Sequence, residues 1–316
     1  MPTVRKSDEV IAILCSDLHL STACPAFRSG EPDWWAAMKR PLAEIKGLSE
    51  TYEAPVICAG DVFDRWFCYP ELINFAITQI PHMLAVPGQH DLPNHNMEEI
   101  ERSAFWTLVM SGTINAFTAS SPVIAPGKFV AYGFGWGCDI RPVDAKHTAK
   151  ISGALTGREV ELAVCHRYAW MDGKGYPNAP QDAHIKAMSK KALMSYDVVL
   201  FGDNHNAFLT KLGDTTVYNS GTMMRRKLDE CDYKPQVGLL YQSGRVEPYY
   251  LDTSKDVYLS AQQTTAKQDA DLTAFIAELN KLGKSALDFR EAVKQYLDCH
   301  EIRNTVRDVI MKAMDV

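Results

Sequence analysis

Short apolar runs that each break into a carboxylate, an amide or an imidazole constrain this chain more than any other feature of its sequence. Val10–Cys15 runs into Asp17-Leu18-His19, and Val56–Ala59 into Gly60-Asp61-Val62-Phe63-Asp64. Met83–Val86 runs into Gly88-Gln89-His90-Asp91. Glu161–Cys165 ends on His166, and Val198–Phe201 on Gly202-Asp203-Asn204-His205. A further run, Thr215–Tyr218, follows. Most of these runs are continuous rather than alternating, as expected of strands covered on both faces. Helical patterns lie between them: Trp34–Leu48, with Trp35, Met38, Leu42 and Ile45 on one face, then Glu71–Gln79 and Met97–Met110. Strands interleaved with helices predict a layered α/β core. In open α/β sheets the ligand site lies at the carboxyl ends of the strands, where these polar clusters fall.

The last third of the chain changes character. Val237–Gln242, Ser243-Gly244 and Val246–Leu251 read as a β-hairpin, and Gln262 to Thr265 as a linker. Beyond it, helical stripes group Leu272, Phe275, Ile276 and Leu279, then Phe289, Val293, Tyr296 and Leu297, then Val306, Val309, Ile310 and Ala313. Such stripes either close a small bundle or dock on a partner. The expected organisation is a core over 1–222, a hairpin extension closing or capping it over 223–261, and a C-terminal helical, partner-binding segment over 262–316. A net charge of −6 argues against a generally basic nucleic-acid coat, while leaving room for a local basic groove. The eight cysteines form no CxxC pair, and Cys15, Cys58 and Cys165 sit in apolar strand-like runs as small buried thiols. Met1–Glu9 lacks the apolar core of a signal peptide, and no apolar run approaches the ~18 residues of a membrane span. The expectation is a cytoplasmic protein with no membrane partner.

Oxygen and imidazole donors without a thiolate set suit hard or borderline divalent cations such as manganese, iron or zinc. Two ions need a shared ligand, and Asp61 is the natural bridging carboxylate. Ions roughly 3.5–4 Å apart would clamp a phosphate and generate a metal-bound hydroxide for in-line attack. A single Asp-x-His after a strand is ordinarily a turn or a cap, Gly60 and Gly88 alone are ordinary turn glycines, and a lone buried histidine is ordinarily a core residue. Five such clusters, in order after five strand-like runs, do not fit that bland reading.

Asp-x-His, Gly-Asp-x-x-Asp, a Gly-Gln-His-Asp in place of Gly-Asn-His-Asp, a lone His and Gly-x-x-His, in that order, resemble the calcineurin-like metallophosphoesterase superfamily over about residues 10–222. The resemblance implies two facing β-sheets flanked by helices. It implies that Asp17, His19, Asp61 and His205 hold one metal, and that Asp61, Gln89, His166 and Asp203 hold the other. It gives His90 contact with the scissile phosphate and protonation of the leaving oxygen, with Asp91 orienting His90 and Asp64 bracing the ligands. Two positions depart from the pattern: Gln89 stands for the usual Asn, and Asp203 for the usual His. Both offer oxygen, which shifts the second site toward manganese or magnesium and away from zinc. The implied cofactor is a pair of divalent ions, manganese first, with magnesium or iron as alternatives.

Within the superfamily, Tyr218-Asn219-Ser220-Gly221-Thr222-Met223-Met224-Arg225, the hairpin and the C-terminal helices resemble SbcD-type nuclease subunits of bacteria and bacteriophages. That resemblance implies a DNA nuclease of repair or recombination, whose terminal helices dock on an SbcC-type ATPase and which pairs as a homodimer. Arg225, Arg226 and Lys227 form a basic cluster able to contact phosphates or simply to face water, as do Lys190 and Lys191. Trp66, Phe67 and Tyr69, and Trp170 and Tyr176, are aromatics that either stack on unpaired bases or pack in the core. His95 reads as a loop residue. Competing readings are a small-molecule phosphatase or cyclic-nucleotide phosphodiesterase on the same core, and a binding module whose altered site is inactive.

Overall fold

A computed structural model describes residues 8–143, 159–260 and 263 of the chain. Its described strands form two six-stranded sheets. The first runs β12-β11-β1-β2-β3-β4, from β1 (Val10–Cys15), β2 (Val56–Cys58), β3 (Met83–Ala85), β4 (Ile114–Ala116), β11 (Gln236–Tyr241) and β12 (Val246–Tyr250). The second runs β5-β6-β7-β8-β10-β9, from β5 (Val123–Ala125), β6 (Phe129–Phe134), β7 (Val160–His166), β8 (Val198–Gly202), β9 (Phe208–Leu212) and β10 (Thr215–Asn219). β1 to β4 pair in parallel, as do β6, β7, β8 and β10, so the carboxyl ends of each parallel set share one edge.

Continuous apolar strands result because both sheet faces are covered. Ile11, Leu14, Ile57 and Leu84 of the first sheet meet Ala131, Leu162, Val164 and Leu200 of the second in one buried layer. The opposite face of the first sheet, Ile13, Cys15, Val56 and Cys58, packs on α1 (Trp34–Tyr52), α2 (Pro70–Gln79) and α3 (Ala104–Met110) through Met38, Leu42, Ile45, Leu72, Phe105 and Leu108. The outer face of the second sheet buries Tyr132, Ala163, Cys165, Val199 and Phe201 against Ala169, Ile185 and Leu193. Each such large aliphatic or aromatic side chain contributes about 1.5–3 kcal/mol on burial. This is the two-sheet fold expected of the sequence.

Two details differ from the sequence pattern. Met97–Met110 is not one helix: a 3-10 segment, Met97–Arg102, gives way to α3 at Ser103, whose extended backbone and side-chain oxygen, accepting from the Trp106 N–H, cap a new start. The hairpin is built into the first sheet, because β11 pairs antiparallel with β1 and makes that strand central. The compact unit containing the sheets extends to Tyr258. The expected linker residues Gln262, Thr264 and Thr265 and the three helical stripes from Leu272 to Ala313 lie outside the described residues. No helix among the described residues is long and apolar enough to cross a membrane.

Candidate metal centre

The polar clusters converge because the two sheets present their carboxyl edges side by side. Asp17 and His19 follow β1, Asp61 follows β2, and Gln89 and His90 follow β3; His166 ends β7, and Asp203 and His205 follow β8. The loops after β1 and β2 are laced together by backbone bonds from Asp17 N to Gly60 O, His19 N to Asp61 O and Leu20 N to Val62 O, each 3.0 Å. The Asp203 N–H joins the sheets by donating to both Asp17 carboxylate oxygens, at 3.1 and 3.2 Å. Asp17, His19, Asp61 and Asp203 all take positive φ, from 45° to 76°, a conformation costly for a side-chain-bearing residue and held by these bonds. Gly60 and Gly88 are required by close approach: a Cβ on Gly60 would lie 2.5 Å from His166 Nδ1, and one on Gly88 would overlap the Asp61 carboxylate.

The first group gathers around His19 Nε2, which is 3.8 Å from Asp17 Oδ1, 3.8 Å from Asp61 Oδ2 and 3.1 Å from His205 Nε2. The second gathers around His166, whose Nδ1–H donates to Ala59 O at 2.5 Å and turns Nε2 inward. That nitrogen lies 2.6 Å from Gln89 Oε1 and 3.4 Å from Asp61 Oδ2, and the Gln89 amide in turn donates to Asp203 Oδ1 at 2.6 Å. The Gln89 side chain thus spans His166 and Asp203, so its extra methylene does not keep its oxygen from the group. Donor atoms of Asp17, His19 and His205, of Asp17, Asp61 and His166, and of His19, Asp61 and His90 lie within 4.8 Å of one another.

Protein groups alone leave the charge in this pocket unbalanced. Burial pushes the Asp17 carboxyl up to about 6 against the pull of His166 and His205. Burial also holds the His19 imidazole well below its ordinary value, against the Asp61 carboxylate. At Asp61 burial opposes ionisation, yet the charges of His166 and His19 keep the carboxyl below the usual range. At His166 burial disfavours the cation, and Asp61, Asp17 and Asp203 outweigh it, raising the imidazole to about 10. Asp61 Oδ2 tests whether a metal fits. It is a buried oxygen without a hydrogen-bond partner, and it stands between imidazole nitrogens of both groups. A buried, unpaired carboxylate oxygen among imidazoles is a donor set for a divalent cation, and Asp61 is placed to be shared.

His90 and its neighbours sort differently from the sequence expectation. His90 lies with its ring centroid 5.1 Å from that of His19 and donates its backbone N–H to Asp61 Oδ1 at 3.0 Å. Its Nδ1 bonds the Asp64 carbonyl at 2.9 Å, and Asp91 does not orient it. Asp91 is instead a buried clamp, accepting from Val62 N, Phe63 N and Gly88 N at 3.1, 3.2 and 2.9 Å and so tying the Asp61 loop to the Gln89 loop. Burial pushes its carboxyl up to about 7. The Asp64 carboxylate lies 3.7 Å from His19 Nδ1, on the side of that ring away from the metal group.

The basic cluster is divided. Arg226 pairs with Asp64 at 2.7 Å, and Arg225 bonds the Tyr233 carbonyl and lies against the Tyr258 ring. Lys227 lines a cleft beside His90, Asp203 and His205. Lys190 and Lys191 lie outside that cleft, on a short helix from Lys190 to Leu193. Trp170 does not line that cleft, and its indole N–H donates to Pro180 O. Trp66, Phe67 and Tyr69 border a separate groove next to Asp64. Tyr176 and His95 reach the cleft, together with Tyr168 and Trp136. Glu230 has no motif to announce it, yet its Oε1 lies 3.4 Å from His205 Nδ1, while its Oε2 accepts from Arg226 N and Lys227 N at 2.6 and 3.0 Å. The only hint in the sequence is a carboxylate three residues past a basic run, fitting a tight turn.

A family model described as the calcineurin-like phosphoesterase superfamily domain matches residues 11–234. No curated protein sequence matches the chain. Similar solved structures include TT1561 of Thermus thermophilus, at 11% identity and TM-score 0.45, with 76% of this chain and 98% of that one covered. A Staphylococcus aureus protein described as a putative 5'-nucleotidase, in complex with alpha-ketoglutarate, aligns at 10% identity and TM-score 0.44, over 82% of this chain and 57% of its own. A novel archaeal phosphodiesterase aligns at 14% identity and TM-score 0.32, over 78% and 96%. The family match takes in strands of both sheets and every candidate ligand position from Asp17 to His205, and by it the chain belongs to the calcineurin-like phosphoesterase superfamily.

Proposed function

We propose that this metallophosphoesterase is a DNA phosphodiesterase of SbcD type, acting with two divalent ions, manganese first among them, and with an SbcC-type ATPase. The observation that carries this reading is the cleft over His90. At about 790 Å³ it is lined by Lys227, Arg167 and aromatic rings as well as by the polar groups of the metal centre. A single phosphate needs far less room, whereas a strand passing a metal centre uses cations for its phosphates and rings for its bases.

Asp17, His19, Asp61 and His205 would hold one ion, and Asp61, Gln89, His166 and Asp203 the other. Bound there, the ions would polarise phosphoryl oxygens and draw the nucleophile from water. The oxygen donors of Gln89 and Asp203 favour manganese or magnesium over zinc at the second position. His90 lines the cleft with Nδ1 held on the Asp64 carbonyl, so its Nε2 is the atom left to protonate a leaving oxygen. Residues 262–316 would supply the ATPase docking segment, in a bacterial or phage-infected cytoplasm, with a homodimer as the working form.

The test is cleavage of labelled single- and double-stranded DNA with manganese, beside bis-p-nitrophenyl phosphate. Cleavage of DNA supports the reading. Turnover of nucleotides or of the small diester, with every DNA substrate ignored with and without an SbcC-type partner, would replace it with a small-molecule phosphatase or cyclic-nucleotide phosphodiesterase. Deleting Leu272–Val316 should abolish partner capture while manganese binding survives. Loss of metal in that truncation would count against the segment as a docking module.

A further inference from the structure

The aromatic lining of the cleft carries a chemistry that the metal centre does not use. The Trp136 ring lies 6.4 Å, centroid to centroid, from the His166 ring and 6.2 Å from that of His95. Its backbone N–H is tied to Pro87 O at 3.0 Å, fixing the loop after β6 to the loop after β3. The Tyr168 and Tyr176 rings stand 4.9 Å apart, and the Tyr176 N–H donates to the Tyr168 hydroxyl at 3.2 Å. Their loop is pinned from beneath by the buried Asn204, whose amide donates to Ala169 O and Lys174 O at 2.8 and 3.1 Å. Tyr176 is nevertheless 50% exposed. Fixed rings that line a solvent-filled cleft next to a metal centre are a poor use of apolar surface unless a flat ligand covers them.

Charge on the rim does not offer an alternative attraction. Beyond the metal group, the cleft carries Arg167 and Lys227 against Asp182, Asp229 and Glu230, so the charges of these described residues do not add up to a positive surface. A phosphate backbone alone gains little from that balance, and ring surface is what remains to hold a substrate.

We propose that Trp136, together with Tyr168 and Tyr176 of the same cleft, is a stacking platform for an unpaired nucleobase next to the scissile phosphate. This rests on the reading of the chain as a DNA phosphodiesterase and specifies its substrate: a single strand or a frayed end. A base inside a duplex has both faces covered by its neighbours and cannot use the platform without leaving the stack. Every base has a π-face, so the platform selects for strandedness and leaves sequence unread.

The test uses the full-length, manganese-loaded protein and two single-stranded oligonucleotides, identical except for one abasic nucleotide beside the cleavage position. The wild-type protein should prefer the intact oligonucleotide in kcat/KM by about 5- to 150-fold. In Trp136→Ala that preference should fall toward one, with Trp136→Phe recovering most of it, and Tyr176→Ala should lower it partially. The ratio is internal to each protein, so a general loss of activity in a variant does not imitate the effect. Equal cleavage of the two oligonucleotides by the wild-type protein, or an unchanged ratio in Trp136→Ala, overturns the platform while the nuclease reading stands. Hydrolysis of bis-p-nitrophenyl phosphate with no cleavage of either oligonucleotide, with and without an SbcC-type partner, overturns both.

Discussion

His90 keeps one ring nitrogen on a backbone carbonyl and leaves the other for the cleft, and this decides how its removal should read. The contacts that hold the candidate metal donors in place run through Asp61, Asp203 and the loop backbones, with His90 contributing its N–H to Asp61 whatever its side chain. His90→Ala should therefore lower kcat by about 10²–10⁴-fold. Manganese per chain, measured on the same sample, should be unchanged; full activity would remove His90 from the chemistry. Glu230 asks for a different experiment. It meets His205 on the nitrogen that turns away from the metal group, where a carboxylate strengthens the imidazole as a donor. Burial disfavours the His205 cation, and Glu230 outweighs it. Glu230→Gln keeps a carbonyl oxygen for Arg226 N and Lys227 N and removes only the charge. Manganese affinity by titration calorimetry should fall by about 10–100-fold, and an unchanged affinity would leave Glu230 a turn residue and nothing more.

Elements buried on both faces are the ones a sequence announces. β1 is Val-Ile-Ala-Ile-Leu-Cys with all six residues buried, and β8 is equally plain, so both stand out as unbroken apolar runs. β9 does not: its buried Phe208 is followed by exposed Leu209 and Lys211, because an edge strand needs no second cover. β4 and β5 are three-residue strands with partly open faces, too short to show a period. The candidate metal donors were legible because a strand end fixes where the next few residues go. The stacking wall and Glu230 were not, because they depend on how the two sheets are set against each other and on loops whose course no local pattern records. The break at Ser103 is the local counterpart. The apolar spacing of Met97–Met110 is helical throughout, and the interruption rests on one buried hydroxyl that accepts from Trp106 N and donates to Ile100 O at 2.7 Å. Ser103→Ala should cost about 1 kcal/mol in chemical denaturation. A variant as stable as the parent would mean that Phe105 and Leu108, rather than the cap, set where α3 begins.

The molecule as a whole gathers its charge problem at the seam between the sheets, and metal loading should therefore be visible as a stability effect across pH. In the metal-free protein His166 keeps a proton up to about 10, well above the ordinary 6.5 of an imidazole, because Asp61, Asp17 and Asp203 overcome its burial. A basic group whose folded value is raised stabilises the fold fully below its unfolded value and loses that contribution as pH climbs through the folded one. His205 shifts in the same direction. The carboxyls of Asp17 and Asp91, raised to about 6 and about 7, have surrendered most of their contribution by the time the imidazoles begin to lose theirs. Between about pH 7 and 10 the metal-free protein should thus lose stability steadily. A divalent ion needs the neutral imidazole, so it takes the place of the proton: its affinity rises over the same window, and binding near pH 7 releases protons. The difference in thermal midpoint between manganese-loaded and chelator-treated protein should widen as pH is raised from 7 to 9. Calorimetry in two buffers of unequal ionisation enthalpy should report the released proton directly. A constant gap between the two midpoints, with no buffer dependence in the binding heat, would mean that His166 is already neutral before the metal arrives and that Asp61 carries its charge without that partner.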